Sequence, residues 1–497
     1  MERLQLNIFM KRSNDQMVRK WKYTIALITV LLLFVSCGQT KAKYVFYFIG
    51  DGMGTVQMNA AERYLAAMEG KNGIIPLAIN LAPASGMATT NSTNAYITDS
   101  GAAATALASG IKTSSGTIGM DADHRYPLKS ITETAKERGM KVGIITNVDI
   151  THATPAGFYA HQPSRNNYYE IGRQLAYSNY DFYGGGDVRQ KTDPKGIEKD
   201  NILDLAKQNG FLYVNNATAF RYLEPGAGRV LFVHPDVKSD YAMPYRMDMD
   251  PGSITLADIL EKAVKMLKGP EGFFIMVEGG KIDWASHFND AAATITEVLD
   301  MDDAVRVALD FYSRNKKNTL IVITADHETG GMSMGTTYGN SNLDLSLLQW
   351  QKASFTQLVR EYTEIRNMRI EEYGPDSARS DPEWAFNYLR EQTGLGDASK
   401  GLGLRDFEEQ DLILAYERSF LPRNERISRD HFSYTAYEPF MVTASRILSR
   451  KAGIGWTTFG HTGTPVPVRA FGVGAEQFNG YYDNTDIPKR ILNVMRK

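Results

Sequence analysis

Four runs along the chain are mostly apolar or β-branched for five or six residues and then turn abruptly small or polar: YVFYFI at 44–49, KVGIIT at 141–146, FFIMV at 273–277 and TLIVIT at 319–324. With no alternation to mark a solvent-facing side, each reads as a strand covered on both faces. They lead into Gly50-Asp51-Gly52, Asn147-Val148-Asp149, Glu278-Gly279-Gly280 and Ala325-Asp326-His327. Between them lie helical periodicities such as PLKSITETAKERG, apolar on one face and stopped by Gly139. Alternating strands and helices predict an α/β fold, a mostly parallel central sheet with helices on both faces. In such sheets ligands bind beyond the carboxyl ends of the strands, where these acidic and imidazole groups fall.

The pattern changes past residue 336. One helical stretch starts at Asp381-Pro382, a cap followed by proline at the first helical position, and stops at Gly394; others are LVREYTEIRNMRIEEYG and DFEEQDLILAYERSF, with both charge signs on their outer faces. Residues 337–455 therefore read as an inserted helical subdomain between a first core part, 43–336, and a C-terminal core part, 456–497. It either borders the site and shapes substrate choice or only adds stability at the surface.

The N-terminus follows a third pattern. Arg19, Lys20 and Lys22 precede an apolar run from Tyr23 to Val35, too short for a comfortable membrane span, which marks 1–37 as an export leader. Ser36-Cys37-Gly38 resembles a bacterial lipoprotein cleavage site, although Phe34 departs from it; the alternative is an ordinary signal peptide containing a cysteine. The expectation is an exported periplasmic or outer-membrane lipoprotein, touching the membrane only through a lipid on Cys37. Since Cys37 is the only cysteine, no disulfide supports the fold.

Composition narrows the function further. With 497 residues, 43% hydrophobic and 23% charged, the chain can bury a large core, while a net charge of −2 leaves no broad basic surface for nucleic acid.

Candidate chemistry gathers at a few positions. An isolated Asp326-His327 pair would usually be a polar sheet edge. In KIDWASHFND, however, Asp283 and His287 stand four apart in a helix-compatible stretch and so share a face. His461, in the Gly- and Thr-rich segment GHTGT, adds a third ligand, and Asp283, His287 and His461 make an N/O set suited to zinc with an open position. Ser100 opens TDSGAAATALASG, where a helix start would surround its hydroxyl with N–H groups; a cap serine before an Ala-rich helix is the bland alternative. No histidine is near it in sequence, which favours activation by a metal.

Taken in order, FIGDGMG, TDSGAAATALASG, HATPAGFYAHQPSR, VEGGKIDWASH, TADHETGG and GHTGT resemble the alkaline phosphatase family from about Lys43 to the C-terminus, apart from the insertion. The resemblance implies hydrolysis of phosphate monoesters through a phosphoserine on Ser100, with two Zn2+ and one Mg2+. It implies Asp51, Asp326 and His327 as ligands of the zinc that activates Ser100. Asp283, His287 and His461 would hold the zinc that receives the leaving oxygen and then water. Asp51 would also face the third metal with Thr154 and Glu278, and Arg165 would grip the phosphate. Members are often homodimers, but no dimer surface is readable here.

Two positions depart from the best-known bacterial pattern. His152 stands where that pattern has Asp, which shifts the third site towards zinc or weakens magnesium. Trp284 stands where other members carry Lys or His near the phosphate, so product release should be faster and affinity lower. Gly184-Gly185-Gly186 lacks the Lys of a P-loop and reads as a tight turn after a strand. His124, His161, His234 and His431 read as structural or surface histidines, and Asp149 has no assigned role. Alternatives to a phosphomonoesterase are a phosphodiesterase or sulfatase on the same core, or a non-catalytic phosphate- or metal-binding protein. A sulfatase would need a C/S-x-P-x-R setting, which neither Cys37 nor Ser100 has.

Overall fold

The computed structural model describes residues 41–496, apart from 198–199, 239, 337–342, 423–424 and 426–436, together with Met17 and Trp21. The expected leader apart from Met17 and Trp21, with its Cys37, and His431 lie outside the described residues.

The apolar runs form the centre of a ten-stranded sheet. In chain order the strands are β1 (Tyr44–Ile49), β2 (Ala84–Thr89), β3 (Lys141–Thr146), β4 (Phe182–Gly185), β5 (Phe211–Val214), β6 (Arg229–Val233), β7 (Phe273–Glu278), β8 (Thr319–Thr324), the short β9 (Glu328–Thr329), β10 (Met332–Met334), β11 (Ile454–Trp456) and β12 (His461–Thr462), then β13 (Val466–Gly472) and β14 (Gly480–Asp483). The sheet runs β14-β2-β13-β8-β1-β7-β3-β4-β6-β5, while β10 pairs with β11 and β9 with β12 in separate two-stranded ribbons. Every pairing in the large sheet is parallel except those of β13, which runs antiparallel between β2 and β8. The expected α/β architecture is therefore present, with one strand reversed.

Both faces are covered, as the uninterrupted apolar runs require. On one face Phe46 packs edge-on against Phe273 and against Phe311 of helix Ala291–Asn315. On the other, Tyr47 sits edge-on to Phe158 and Phe274 and donates its hydroxyl to Leu107 O of helix Ser100–Ser109. Helix Ile131–Glu137 begins at a Ser130/Glu133 capping box, so the PLKSITETAKERG periodicity starts where its cap chemistry places it.

Two local expectations are corrected. Gly184 and Gly185 are the last residues of β4 rather than a turn, and Gly186 lies where a Cβ would come within 2.3 Å of Tyr241 O and 2.5 Å of Val148 O. The glycines permit close backbone approach at the strand end. Pro382 caps helix Glu383–Thr393 rather than occupying its first turn, and Gly394 ends it in the left-handed conformation, φ 74°.

Helices Phe355–Tyr373, Glu383–Thr393, Asp406–Ser419 and Pro439–Lys451 share an aromatic core in which Tyr362 stacks on Trp384 and Phe440, with Tyr416 edge-on to both. The first and last of these helices, with Gln351 ahead of the first, also grip the backbone just after His287. Ser445 and Ser449 donate their hydroxyls to Asn289 O, and Gln351 Nε2 and Phe355 N donate to the Asp290 carboxylate.

Candidate active site

Register brings the acidic strand ends level. Ile49 of β1 pairs with Glu278 on one side and Thr324 on the other, and Thr146 of β3 pairs with Glu278. Asp51, Glu278 and Asp326 thus converge at the carboxyl ends of three adjacent strands. The turn between them is tight: Gly52 adopts φ 73°, and a Cβ there would come within 2.8 Å of Asp283 Cα. Helix Lys281–His287 presents Asp283 and His287 from one face, as their spacing predicts. His461 comes from β12, where it pairs with Thr329 of β9.

Ser100 is the first residue of helix Ser100–Ser109, and the cap is Asp99, whose carboxylate accepts from Gly101 N and Ala102 N. Asp99 also accepts from Arg165 Nη1 at 3.0 Å, while Arg165 Nη2 lies 3.2 Å from His152 Nε2. Burial opposes the charge on Arg165, but the neighbouring Asp99 carboxylate together with Asp51 and Tyr168 outweighs it and raises the guanidinium pKa. Arg165 is thereby held as a fixed cation beside the serine at a helix N-terminus.

The remaining predicted residues close around Ser100. His327 Nε2 lies 3.2 Å from Ser100 Oγ, 3.4 Å from Asp51 Oδ1 and 3.3 Å from Asp326 Oδ2. His287 Nε2 lies 3.2 Å from His461 Nε2 and 3.3 Å from Asp283 Oδ2, and the other Asp283 oxygen faces His461 Nε2 at 3.7 Å. Thr154 Oγ1 is 3.4 Å from Asp51 Oδ2, and His152 Nδ1 is 3.7 Å from Glu278 Oε1. Donor atoms of Asp51, Asp326 and His327 lie within 4.8 Å of one another, as do those of Asp51, His152 and Glu278 and those of Asp283, His327 and His461. Trp284 stands at the rim, its ring edge-on to His152 at 6.1 Å, with Lys281 Nζ 5.0 Å from the ring centre.

This donor set fits divalent cations. Asp51 Oδ1, His152 Nδ1, Glu278 Oε1 and Asp326 Oδ2 are buried without a hydrogen bond among the described residues, an arrangement that is costly unless something charged satisfies them. Burial, then repulsion from Asp326, Asp283 and Glu278, raises the Asp51 pKa; burial and Asp283 push Asp326 up to about 8. On the other side burial opposes ionisation of Asp283, but His287, His461 and His327 hold it well below the usual carboxylate range, and Asp283 in turn raises His287 to about 9 against its burial. Protons on Asp51, Asp326 and His287 would therefore compete with cations for these groups.

The other described histidines are satisfied by the fold. His161 Nδ1 is 2.7 Å from Gly119 O, His234 Nε2 2.9 Å from Ile254 O, and His124 Nε2 2.8 Å from Thr117 Oγ1. Asp149 accepts from Thr151 Oγ1 and Arg189 Nη2. Three residues near the site went unremarked in the sequence. Asp99 carried a cap signal, Thr329 lay inside the TADHETGG motif, and Tyr437, whose ring lies 4.9 Å from Phe288 and 5.4 Å from Phe459, carried none.

Comparison with known proteins agrees with this geometry. The alkaline phosphatase family model matches residues 42–496. Alkaline phosphatase 3 of Bacillus subtilis is 31% identical over 467 residues, covering 92% of this chain and 90% of the relative. The Thermus thermophilus alkaline phosphatase superposes with a TM-score of 0.74 at 26% identity, covering 93% of this chain and 92% of that one. A cold-active alkaline phosphatase from a psychrophilic Shewanella superposes at 0.73 with 27% identity, over 91% of this chain and 100% of that one. The chain belongs to the alkaline phosphatase family.

Proposed function

We propose that the protein hydrolyses phosphate monoesters through a covalent phosphoserine on Ser100, with zinc held by Asp51, Asp326 and His327 and by Asp283, His287 and His461. Asp51, His152, Thr154 and Glu278 would hold a third ion, magnesium or zinc. The observation that carries the reading is the placement of one buried hydroxyl, Ser100 Oγ, 3.2 Å from His327 Nε2 at a helix N-terminus, amid buried acceptors that lack partners. When bound, such cations lower the pKa of a hydroxyl or water and neutralise charge at the entering and leaving oxygens.

The chain's own groups supply the rest. Arg165, fixed by Asp99, offers its fork to the non-bridging phosphoryl oxygens. The first N–H groups of helix Ser100–Ser109 add positive potential on the same side. Ser100 Oγ forms the bond to phosphorus as the bond to the alcohol oxygen breaks; water then attacks phosphorus in line and the Ser100 bond breaks, releasing inorganic phosphate. The His287 and His461 side receives the alcohol. Residues 337–455 act as an insertion bordering that side, supported by the grip of Ser445 and Ser449 on Asn289 and by Tyr437 beside Phe288.

The Ser100→Ala variant tests this reading. Release of p-nitrophenol from its phosphate ester should fall by about 10³-fold or more, and the phosphoserine trapped by acid quench should vanish. Wild-type turnover without a trappable phosphoserine, or undiminished turnover in the variant, contradicts it. We further propose export with a lipid on Cys37, supported by the leader pattern; no described helix is long and apolar enough to cross a membrane.

A further inference from the structure

Thr329 touches no predicted substrate position, yet it lies where the ligands of both zinc groups meet. It is fully buried, and its Oγ1 donates to Asp283 Oδ1 at 2.5 Å and lies 3.2 Å from His327 Nδ1. Its backbone pairs with His461 across the β9–β12 ribbon, and its N–H donates to Gly52 O at 3.2 Å. A Cβ on Gly52 would come within 2.9 Å of this hydroxyl, so the turn after β1 presses against it and leaves little room for a replacement water.

The direction of the hydrogen bonds follows from counting protons. A hydroxyl has one hydrogen, and an ionised carboxylate has none to give, so the Thr329 proton belongs to Asp283. The oxygen's lone pair then faces His327 Nδ1, which must carry the N–H. A neutral imidazole has a single N–H, so Nε2 is left bare, facing Ser100, Asp51 and Asp326 at 3.2, 3.4 and 3.3 Å. We propose that Thr329 is a positioning residue that couples the two metal groups: one hydroxyl orients Asp283 for the leaving-group ion and fixes the His327 tautomer for the nucleophile ion. This rests on the metal assignment proposed above. Losing the hydroxyl weakens both groups together, although Thr329 is not a ligand of either.

The experiment compares full-length wild type with the near-isosteric T329V, with T329S, which keeps the hydroxyl, and with T329A. Zinc per chain is measured by elemental mass spectrometry across a series of buffered free zinc concentrations. The histidine tautomers of the metal-free proteins are read by nitrogen NMR. T329V should lose zinc at both sites in parallel, with affinity lower by about 10–100-fold, and should release His327 from its Nδ1–H form. T329S should keep both properties near wild type. Zinc retention by T329V equal to wild type overturns the proposal. So does a T329S deficit as large as that of T329V, which would make the packing of Thr329 the cause. If T329V does not fold, T329A against T329S decides in the same way. A wild type that binds no zinc at all contradicts the metal assignment instead.

Discussion

The two halves of the site are built differently. Asp51, Asp326 and His327 are fully buried and Ser100 nearly so, all set on strand ends or a helix start packed into the sheet. Across from them, the His287 and His461 side chains keep 28% and 16% of their surface exposed and stand on a short helix and a two-residue ribbon strand. The sealed half suits a nucleophile that must be aimed and kept from bulk water; the open half suits an alcohol that must leave and a water that must enter.

The largest loss is expected from the sealed half. Asp51→Asn removes a donor shared by two clusters, and turnover should fall by about 10³-fold or more, with fewer metal ions per chain by elemental analysis. A loss as small as that of an open-half variant would erase the contrast. His461→Ala should cost about 10–10²-fold, and added zinc should recover part of it, because solvent and Asp283 can complete a site that is already partly open. Failure of zinc to recover any activity would show that half to be as rigid as the other.

Protons sharpen the comparison in a different way. In chelated protein Asp326 and His287 both have folded pKa values above their unfolded ones, about 8 and about 9. Each therefore contributes stability at low pH that is lost as pH rises: Asp326 from its unfolded value near 4 up to about 8, His287 from about 6.5 to about 9. Metal binding strengthens over the same range as those protons leave. The Tm gap between metal-loaded and EDTA-treated protein should widen from pH 6 to pH 9 in scanning fluorimetry; a constant gap would deny that protons and cations compete for these groups. The smallest effect belongs to the rim. Trp284→Lys places a cation beside the phosphate position, so KM for p-nitrophenyl phosphate and the phosphate inhibition constant should each drop about 2–5-fold, and unchanged constants would remove the idea.

How far the sequence reached differs between the two halves for a physical reason. β1, β3 and β8 begin and end where their apolar runs do, because strands covered on both faces leave a sharp boundary in composition. Asp51 and Asp326, just past the ends of β1 and β8, and Glu278, where the apolar run of β7 stops, were visible for that reason. Asp283 and His287 were visible through helical spacing. The pairing of His461 with Thr329 was not, since a two-residue strand has no periodicity to read. Nor was Tyr437 at the site edge, which depends on how separate helices fold back. The reversal of β13 within an otherwise parallel sheet likewise left no trace in its own residues. Resemblance named His461 as a ligand, but only tertiary structure shows what carries it there.

That reversed strand has a consequence for biogenesis. β13 wedges between β2 and β8, so a polypeptide emerging amino end first has its serine and most acidic ligands available long before β2 can join the rest of its sheet. Pairings of such long sequence separation form slowly. Until residues 461–472 arrive, β8 keeps a bare edge and the last imidazole is missing, so a stalled or truncated chain is adhesive before its open metal group is complete.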